Sequence, residues 1–116
     1  MQGDWLGKRV LVDPTIRYEG IFPADIAGSE GDGGFAEYYA CHEDQIYDVT
    51  DSPLSDAQLS CLPTAYGTAM GMINRAGCAD GQRVLVTGSS GGVGMAAIQL
   101  LVHRGCEVVA LSLIHI

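Results

Sequence analysis

The sequence predicts an α/β chain: a β-rich segment up to about Asp51, then helices, then one complete β–α–β unit of a parallel sheet. Three observations carry this. Short apolar runs in the first half are separated by loops punctuated with proline and glycine. The near-continuous apolar run Arg83–Thr87 leads straight into Gly88-Ser89-Ser90-Gly91-Gly92-Val93-Gly94 and a helical period. Glycine itself is in excess, 16 of 116 residues against a usual share of ~7%.

Arg9-Val10-Leu11-Val12-Asp13 is β-branched, is stopped by Pro14, and reads as a short strand. From Pro14 to Gly34 neither a helical nor an alternating period is present. Pro14, Gly20, Pro23, Gly28, Gly31, Gly33 and Gly34 instead predict a long loop carrying Asp25, Glu30 and Asp32. Phe35–Cys41 is aromatic and apolar, and Gln45–Val49 suits another strand. Ser55-Asp56-Ala57-Gln58 has the form of a capping box, with Leu59 and Leu62 following at helical spacing until a break at Pro63. A second helix is expected from about Ala65 to Arg75. It would bury Ala69, Met72 and Ile73 as core and end on Gly77. The apolar strand Arg83–Thr87 follows. Met95–Arg104 then reads as a helix with Ala97, Ile98, Leu101 and Val102 inward, ended by Gly105, and Glu107–Leu111 is the next strand. The crossover between the two strands should be right-handed.

Composition narrows the function. Lys and Arg total 6 against 14 Asp and Glu, a formal net charge of −8, which repels phosphate backbones and anionic lipid. Nucleic acid and membrane surfaces are therefore not expected partners. A hydrophobic share of 47% is enough for a core. No apolar run approaches the ~18–20 residues that cross a bilayer, and the first residues lack a basic-then-apolar leader, so a cytoplasmic protein is expected. Cys41, Cys61, Cys78 and Cys106 form no Cys-x-x-Cys pair, and they are expected to be reduced, mostly buried thiols.

A glycine-rich turn between a strand and a helix N-terminus has a specific use. Gly91 and Gly92 would let the backbone approach a diphosphate, and Gly94 would let helix and strand pack closely. The first N–H groups of the helix and its partial positive charge would hold the anion. No Gly-Lys-Ser/Thr follows, so this is not a kinase-type loop. The alternative is an ordinary tight turn with no ligand. The turn reads as Ser89-x-Gly91-x-x-Gly94, a dinucleotide fingerprint with serine first. It also reads as Thr87-Gly88-x-x-x-Gly92-x-Gly94, the short-chain dehydrogenase pattern. Position favours the former, because short-chain enzymes open with this unit and here 82 residues precede it.

Taken together, Gly7–Val12, Gly33-Gly34-Phe35-Ala36-Glu37-Tyr38, Ala65-Tyr66-Gly67-Thr68-Ala69 and Val84–Gly94 occur in the order seen in medium-chain dehydrogenase/reductases. The chain resembles that superfamily, which includes zinc alcohol dehydrogenases and quinone oxidoreductases, from about residue 4 to 110. The resemblance implies the C-terminal part of a GroES-like catalytic domain (residues 1–53) and the start of a Rossmann domain (residues 54–110). It implies an NAD(P)-dependent oxidoreductase moving a hydride to or from an alcohol, carbonyl or activated alkene, with NADP favoured over NAD. It also implies a small-molecule substrate and a homodimeric full-length protein. Thr68 matches the threonine beside the nicotinamide ring, though a helix-interior threonine can also bond its own backbone. Ser89 and Ser90 would add hydroxyl contacts to the phosphates, or simply cap the helix. Val93 and the three glycines Gly91, Gly92 and Gly94 complete the expected cofactor site, while the catalytic residues are not assigned.

The resemblance has gaps. Asp13–Gly34 holds no cysteine, so the four-cysteine structural zinc lobe of many relatives is absent. A catalytic zinc ligand of those relatives corresponds to Thr64, with Cys61 three residues earlier, so no metal ligands are assigned. His42 is expected to be a solvated loop histidine, and His103 to sit in a last helical turn. A doubly wound domain has about six parallel strands, and two are expected here, so the chain is expected to be a fragment that is inactive by itself. Leu111-Ser112-Leu113-Ile114-His115-Ile116 matches the translation of a transposase adapter used in sequencing libraries. Residues 111–116 are therefore expected to be a non-native tail; the alternative is that Leu111 finishes the strand. Two other functions stay open: a short-chain dehydrogenase with a downstream Tyr-x-x-x-Lys pair, and a non-catalytic nucleotide-binding module.

Overall fold

The computed structural model describes residues 4–18 and 21–112, and the chain divides into two compact units, Met1–Ser60 and Cys61–Ile116. In the first unit, strand β1 (Val10–Val12) pairs antiparallel with β4 (Ile46–Asp48), in register Val10↔Asp48 to Val12↔Ile46. Hydrogen bonds from Val49 N–H to the Arg9 carbonyl (2.9 Å) and from Asp13 N–H to the Gln45 carbonyl (2.8 Å) extend the ladder at both ends. Lys8 Nζ lies 2.7 Å from Asp48 and Thr50 N–H donates to the same carboxylate, which together hold it far below the ordinary range.

Between β1 and β4 the structure corrects the sequence reading. Pro14–Gly34 is not one long loop: β2 (Thr15–Tyr18) and β3 (Ile21–Ile26) pair antiparallel, with a register irregularity between Ile16 and Tyr18. A two-stranded ribbon has an unpaired edge on each strand, and so it tolerates Pro23, which has no N–H to donate. Gly20 lies outside the described residues. The remaining loop is held locally, with Ile26 N–H and the Ser29 hydroxyl both donating to Glu30 and keeping its carboxyl below the usual range. Phe35–Cys41 forms no strand, and Phe35 and Tyr38 stand almost fully exposed.

The polar residue buried in this unit is Gln45, at the end of the short 3-10 turn Glu43–Gln45. Its Nε2 donates to the carbonyls of Asp13 (3.0 Å) and Thr15 (3.2 Å), and its Oε1 accepts the His42 N–H at 3.0 Å. Gln45→Leu would strip partners from two carbonyls and one N–H, and is expected to destabilise the unit by about 2 kcal/mol. A urea melt of the two proteins checks this.

Arg9 holds the exit of the unit. Its guanidinium reaches Asp56 Oδ1 (2.6 Å) and the carbonyls of Leu54 (2.6 Å) and Ser52 (3.2 Å). Helix α1 (Asp56–Ser60) opens with the expected capping box: Gln58 N–H donates to Ser55 Oγ, and Ser55 N–H donates to Gln58 Oε1.

In the second unit Pro63 does not break the chain. Leu62–Tyr66 forms a π-helical turn that runs directly into α2 (Gly67–Arg75). Pro63 is its second residue, where a missing N–H leaves no helical bond unmade. Helix α2 buries Ala69 and Ile73, but Met72 is 60% exposed and is not core. Strand β5 (Arg83–Thr87), helix α3 (Gly92–His103) and strand β6 (Glu107–Leu111) form the expected β–α–β unit, with β5 and β6 parallel from Arg83↔Glu107 to Thr87↔Leu111. Both helices end on glycine caps. Gly77 and Gly105 have positive φ, and Cys78 N–H and Cys106 N–H reach back to the carbonyls of Ile73 and Leu101.

The core of this unit is Ala69, Ile73, Ala96, Ala97, Leu101 and Cys106, with Val84, Val86 and Val108 packed on it from the sheet. Val102, expected inward, is 59% exposed, and Ile98 is half-buried. Helix α3 presents Ala96, Ala97 and Leu101 to this core, and Val102 lies off that face. The sheet is covered on one face: Leu85, Val109 and Leu111 are exposed on the other. Leu111 completes β6, and residues 113–116 lie outside the described residues. No disulfide joins the four cysteines, and only Cys106 is buried; Cys41 and Cys78 are half-buried and Cys61 is exposed. His42 is exposed beside Asp44, and His103 is in the last turn of α3.

Candidate functional site

The turn between β5 and α3 is built by two glycines that the fold itself requires. Gly88 has φ +64°, a left-handed conformation that turns the chain sharply off the strand. Gly94 faces it: a Cβ there would run into the Gly88 carbonyl oxygen and lie 2.9 Å from Ser89 Cα. Helix and strand touch backbone to backbone at this point.

Gly91 and Gly92 differ. A Cβ on Gly91 would meet only the Gly88 carbonyl oxygen at 3.5 Å, and one on Gly92 only Ala65 Cβ at 3.9 Å, both ordinary contacts. Neither has positive φ. The protein's own packing would therefore accept a side chain at both positions, and the sequence leaves them bare. The backbone there forms an open cradle.

Gly91 is the N-cap of α3 with extended backbone, and no side chain caps the helix. The first helical bond runs from Met95 N–H to the Gly91 carbonyl at 2.9 Å, so the N–H groups of Gly92, Val93 and Gly94 precede the helical ladder. They point out of a helix end that carries about half a positive charge, an arrangement suited to an anion. Ser89 is half-buried, and its N–H donates to the Leu111 carbonyl at 3.2 Å, tying the turn to the end of β6. Ser90 is exposed, with its Oγ 3.0 Å from Ser112 Oγ. Val93 is half-buried against the core, fixing the first helical turn. Neither serine is the cap of α3.

Thr68 is the second residue of α2 and is exposed. The preceding π-helical turn brings Ala65 against Gly92, so the start of α2 and the start of α3 lie side by side. Thr64 is exposed in the same turn. Sequence reasoning missed Ala65 and Ser112 as neighbours of the glycine turn. Ala65 has no chemical signal of its own, and its place depends on a π-turn that Pro63 disguises. Among the described residues no cluster of three or more His, Cys, Asp or Glu is placed to hold a metal ion, and no helix is long and apolar enough to cross a membrane.

No family model matches the chain. Individual proteins do. Residues of the chain are 41% identical to a candidate alcohol dehydrogenase from Sinorhizobium meliloti 1021, superposing with a TM-score of 0.79 over 90% of this chain and 29% of that one. The chain is similar to alcohol dehydrogenases and quinone oxidoreductases of the medium-chain dehydrogenase/reductase superfamily. A quinone oxidoreductase from Thermus thermophilus, crystallised alone and with NADPH, superposes with a TM-score of 0.64 at 28% identity, over 77% of this chain and 29% of that one. In sequence, the chain is 36% identical over 86 residues to a 2-methylene-furan-3-one reductase of Solanum lycopersicum, covering 74% of this chain and 22% of the reductase. It is 46% identical over 105 residues to an erythronolide synthase of Saccharopolyspora erythraea, covering 90% of this chain and 3% of the synthase. The chain spans 22% of the length of the reductase and 29% of the length of the alcohol dehydrogenase and of the quinone oxidoreductase.

Proposed function

We propose that this chain supplies the diphosphate-binding turn and the ring-side helix of an NAD(P)-dependent oxidoreductase, one that reduces a carbon–carbon double bond conjugated to a carbonyl. The observation that carries this reading is the contrast among the four glycines of the turn. Gly88 and Gly94 are demanded by the fold, whereas Gly91 and Gly92 lie open, so their lack of side chains is best explained by a ligand that approaches the backbone. A diphosphate fits that cradle in charge and in donor geometry.

In this reading the N–H groups of Gly92, Val93 and Gly94 hold the diphosphate, and the hydroxyls of Ser89 and Ser90 flank it. Thr68 lies beside the nicotinamide. When bound, the cofactor supplies the hydride; the chain orients it and keeps its two ends at a set spacing. NADP is favoured over NAD in this reading; the structural relatives include both a quinone oxidoreductase crystallised with NADPH and an NAD-dependent alcohol dehydrogenase. Residues 1–53 are read as part of a GroES-like domain and residues 54–110 as the start of a Rossmann domain, with the whole protein a cytoplasmic homodimer.

The substrate class rests on two points. Thr64 offers a neutral hydroxyl at the position where zinc-dependent relatives have a ligand, and zinc requires thiolate, imidazole or carboxylate. The relatives include a 2-methylene-furan-3-one reductase and, among solved structures, an enoyl reductase. The test is deuteride transfer in the complete protein. With NADPH deuterated at C4 and a conjugated enone, the product should carry deuterium at the β-carbon. Oxidation of simple alcohols with NAD, and no consumption of NADPH with enones, would overturn the assignment.

A further inference from the structure

Helices α2 and α3 carry the two halves of the proposed site, so their mutual setting decides where the ring lies relative to the anchored phosphates; the inference below rests on that reading. The helices run side by side in the same direction. Ala65 meets Gly92 at one end, and Arg104 meets Asn74 at the other. The far end is firmly tied, because Arg104 donates to Asn74 Oδ1 (2.8 Å) and to the Cys78 carbonyl (3.2 Å).

At the near end the residues are small: Ala69 and Ala96 are both buried in the core, and Gly92 gives Ala65 no side chain to key against. The π-helical turn Leu62–Tyr66 is a rarely populated backbone form, and Pro63 donates no hydrogen bond within it. Such a segment needs an outside contact to fix its register. Tyr66, the last residue of the turn and two before Thr68, supplies one: its phenol ring packs on the core, and its Oη donates to Gln99 Oε1 on α3 at 2.6 Å.

We propose that Tyr66 is a positioning residue whose hydrogen bond to Gln99 sets the register of Thr64–Thr68 against α3, and thereby the spacing between the nicotinamide and the diphosphate. Tyr66 does not need to touch the cofactor. The contact matters most in the transition state, where the ring must sit at a set distance from the acceptor carbon.

The experiment uses the complete protein with Tyr66→Phe and Gln99→Met, which keep the packing and remove the bond, and Gln99→Glu, which keeps an acceptor. The NADPH dissociation constant should stay within about twofold, because the diphosphate turn is untouched, while kcat should fall about fivefold, the worth of one hydrogen bond. Amide exchange at Thr64–Thr68 in the cofactor-free protein should speed up in the first two variants and return to normal in Gln99→Glu. Unchanged kcat and exchange, or equal losses in kcat and NADPH affinity that track a lowered melting temperature, would overturn the proposal. If the unmodified protein does not bind NADPH, the cofactor reading itself falls; if it binds and the variants behave normally, only the role of Tyr66 falls.

Discussion

Gly92→Asp is expected to weaken NAD(P)H binding by about two orders of magnitude, without lowering the melting temperature. The position has room, since a Cβ there meets only Ala65 Cβ at 3.9 Å. A carboxylate in the first turn of α3 also suits the helix dipole, so the fold should tolerate or even welcome it. The same carboxylate would occupy the place proposed for the diphosphate and repel it. Nicotinamide fluorescence titration beside a thermal melt separates the two effects. Unchanged affinity in a folded variant would remove this turn from the site.

Two residues along the same helix, the opposite outcome is expected. Gly94→Val places a Cβ against the Gly88 carbonyl oxygen, 2.9 Å from Ser89 Cα and 3.0 Å from the Gly88 carbonyl carbon. All three neighbours are backbone, and Gly88 is itself held at φ +64°, so none can yield without shifting β5 from α3. That movement would open the core formed by Ala96, Ala97 and Leu101. The expected loss is about 3 kcal/mol or more, at the upper end for overpacked sites. Chemical denaturation of the variant measures it; a midpoint equal to that of the unmodified protein would show that helix and strand are not in close contact.

The contrast between these neighbours also shows what the sequence alone could reveal. The β–α–β unit was legible because each of its signals is local: an apolar run, a glycine turn, a helical period and a glycine stop lie in consecutive order from Arg83 to Leu111. The capping box at Ser55 and Gln58 was legible for the same reason. The sequence could not say which glycines serve the fold and which face open space, since that depends on the distance between Gly94 and Gly88 across the turn. The hairpin of β2 and β3 was hidden because proline and glycine punctuate it, and a two-stranded ribbon tolerates both. The π-turn was hidden because Pro63 reads as a stop, although its place at the second residue of the turn makes it harmless. Met72 and Val102 fit an apolar period, yet the buried faces of their helices are Ala69 with Ile73 and Ala96, Ala97 with Leu101, and both side chains lie outside them.

In the proposed function the backbone between β5 and α3 holds the diphosphate of a nicotinamide dinucleotide. A crystal structure of the complete protein grown with NADP tests it most directly. Diphosphate oxygens are expected within hydrogen-bond distance of the N–H groups of Gly92, Val93 and Gly94, with the nicotinamide ring beside Thr68. A dinucleotide bound elsewhere, with the Gly91–Gly92 cradle in contact with solvent or with another part of the protein, would contradict it.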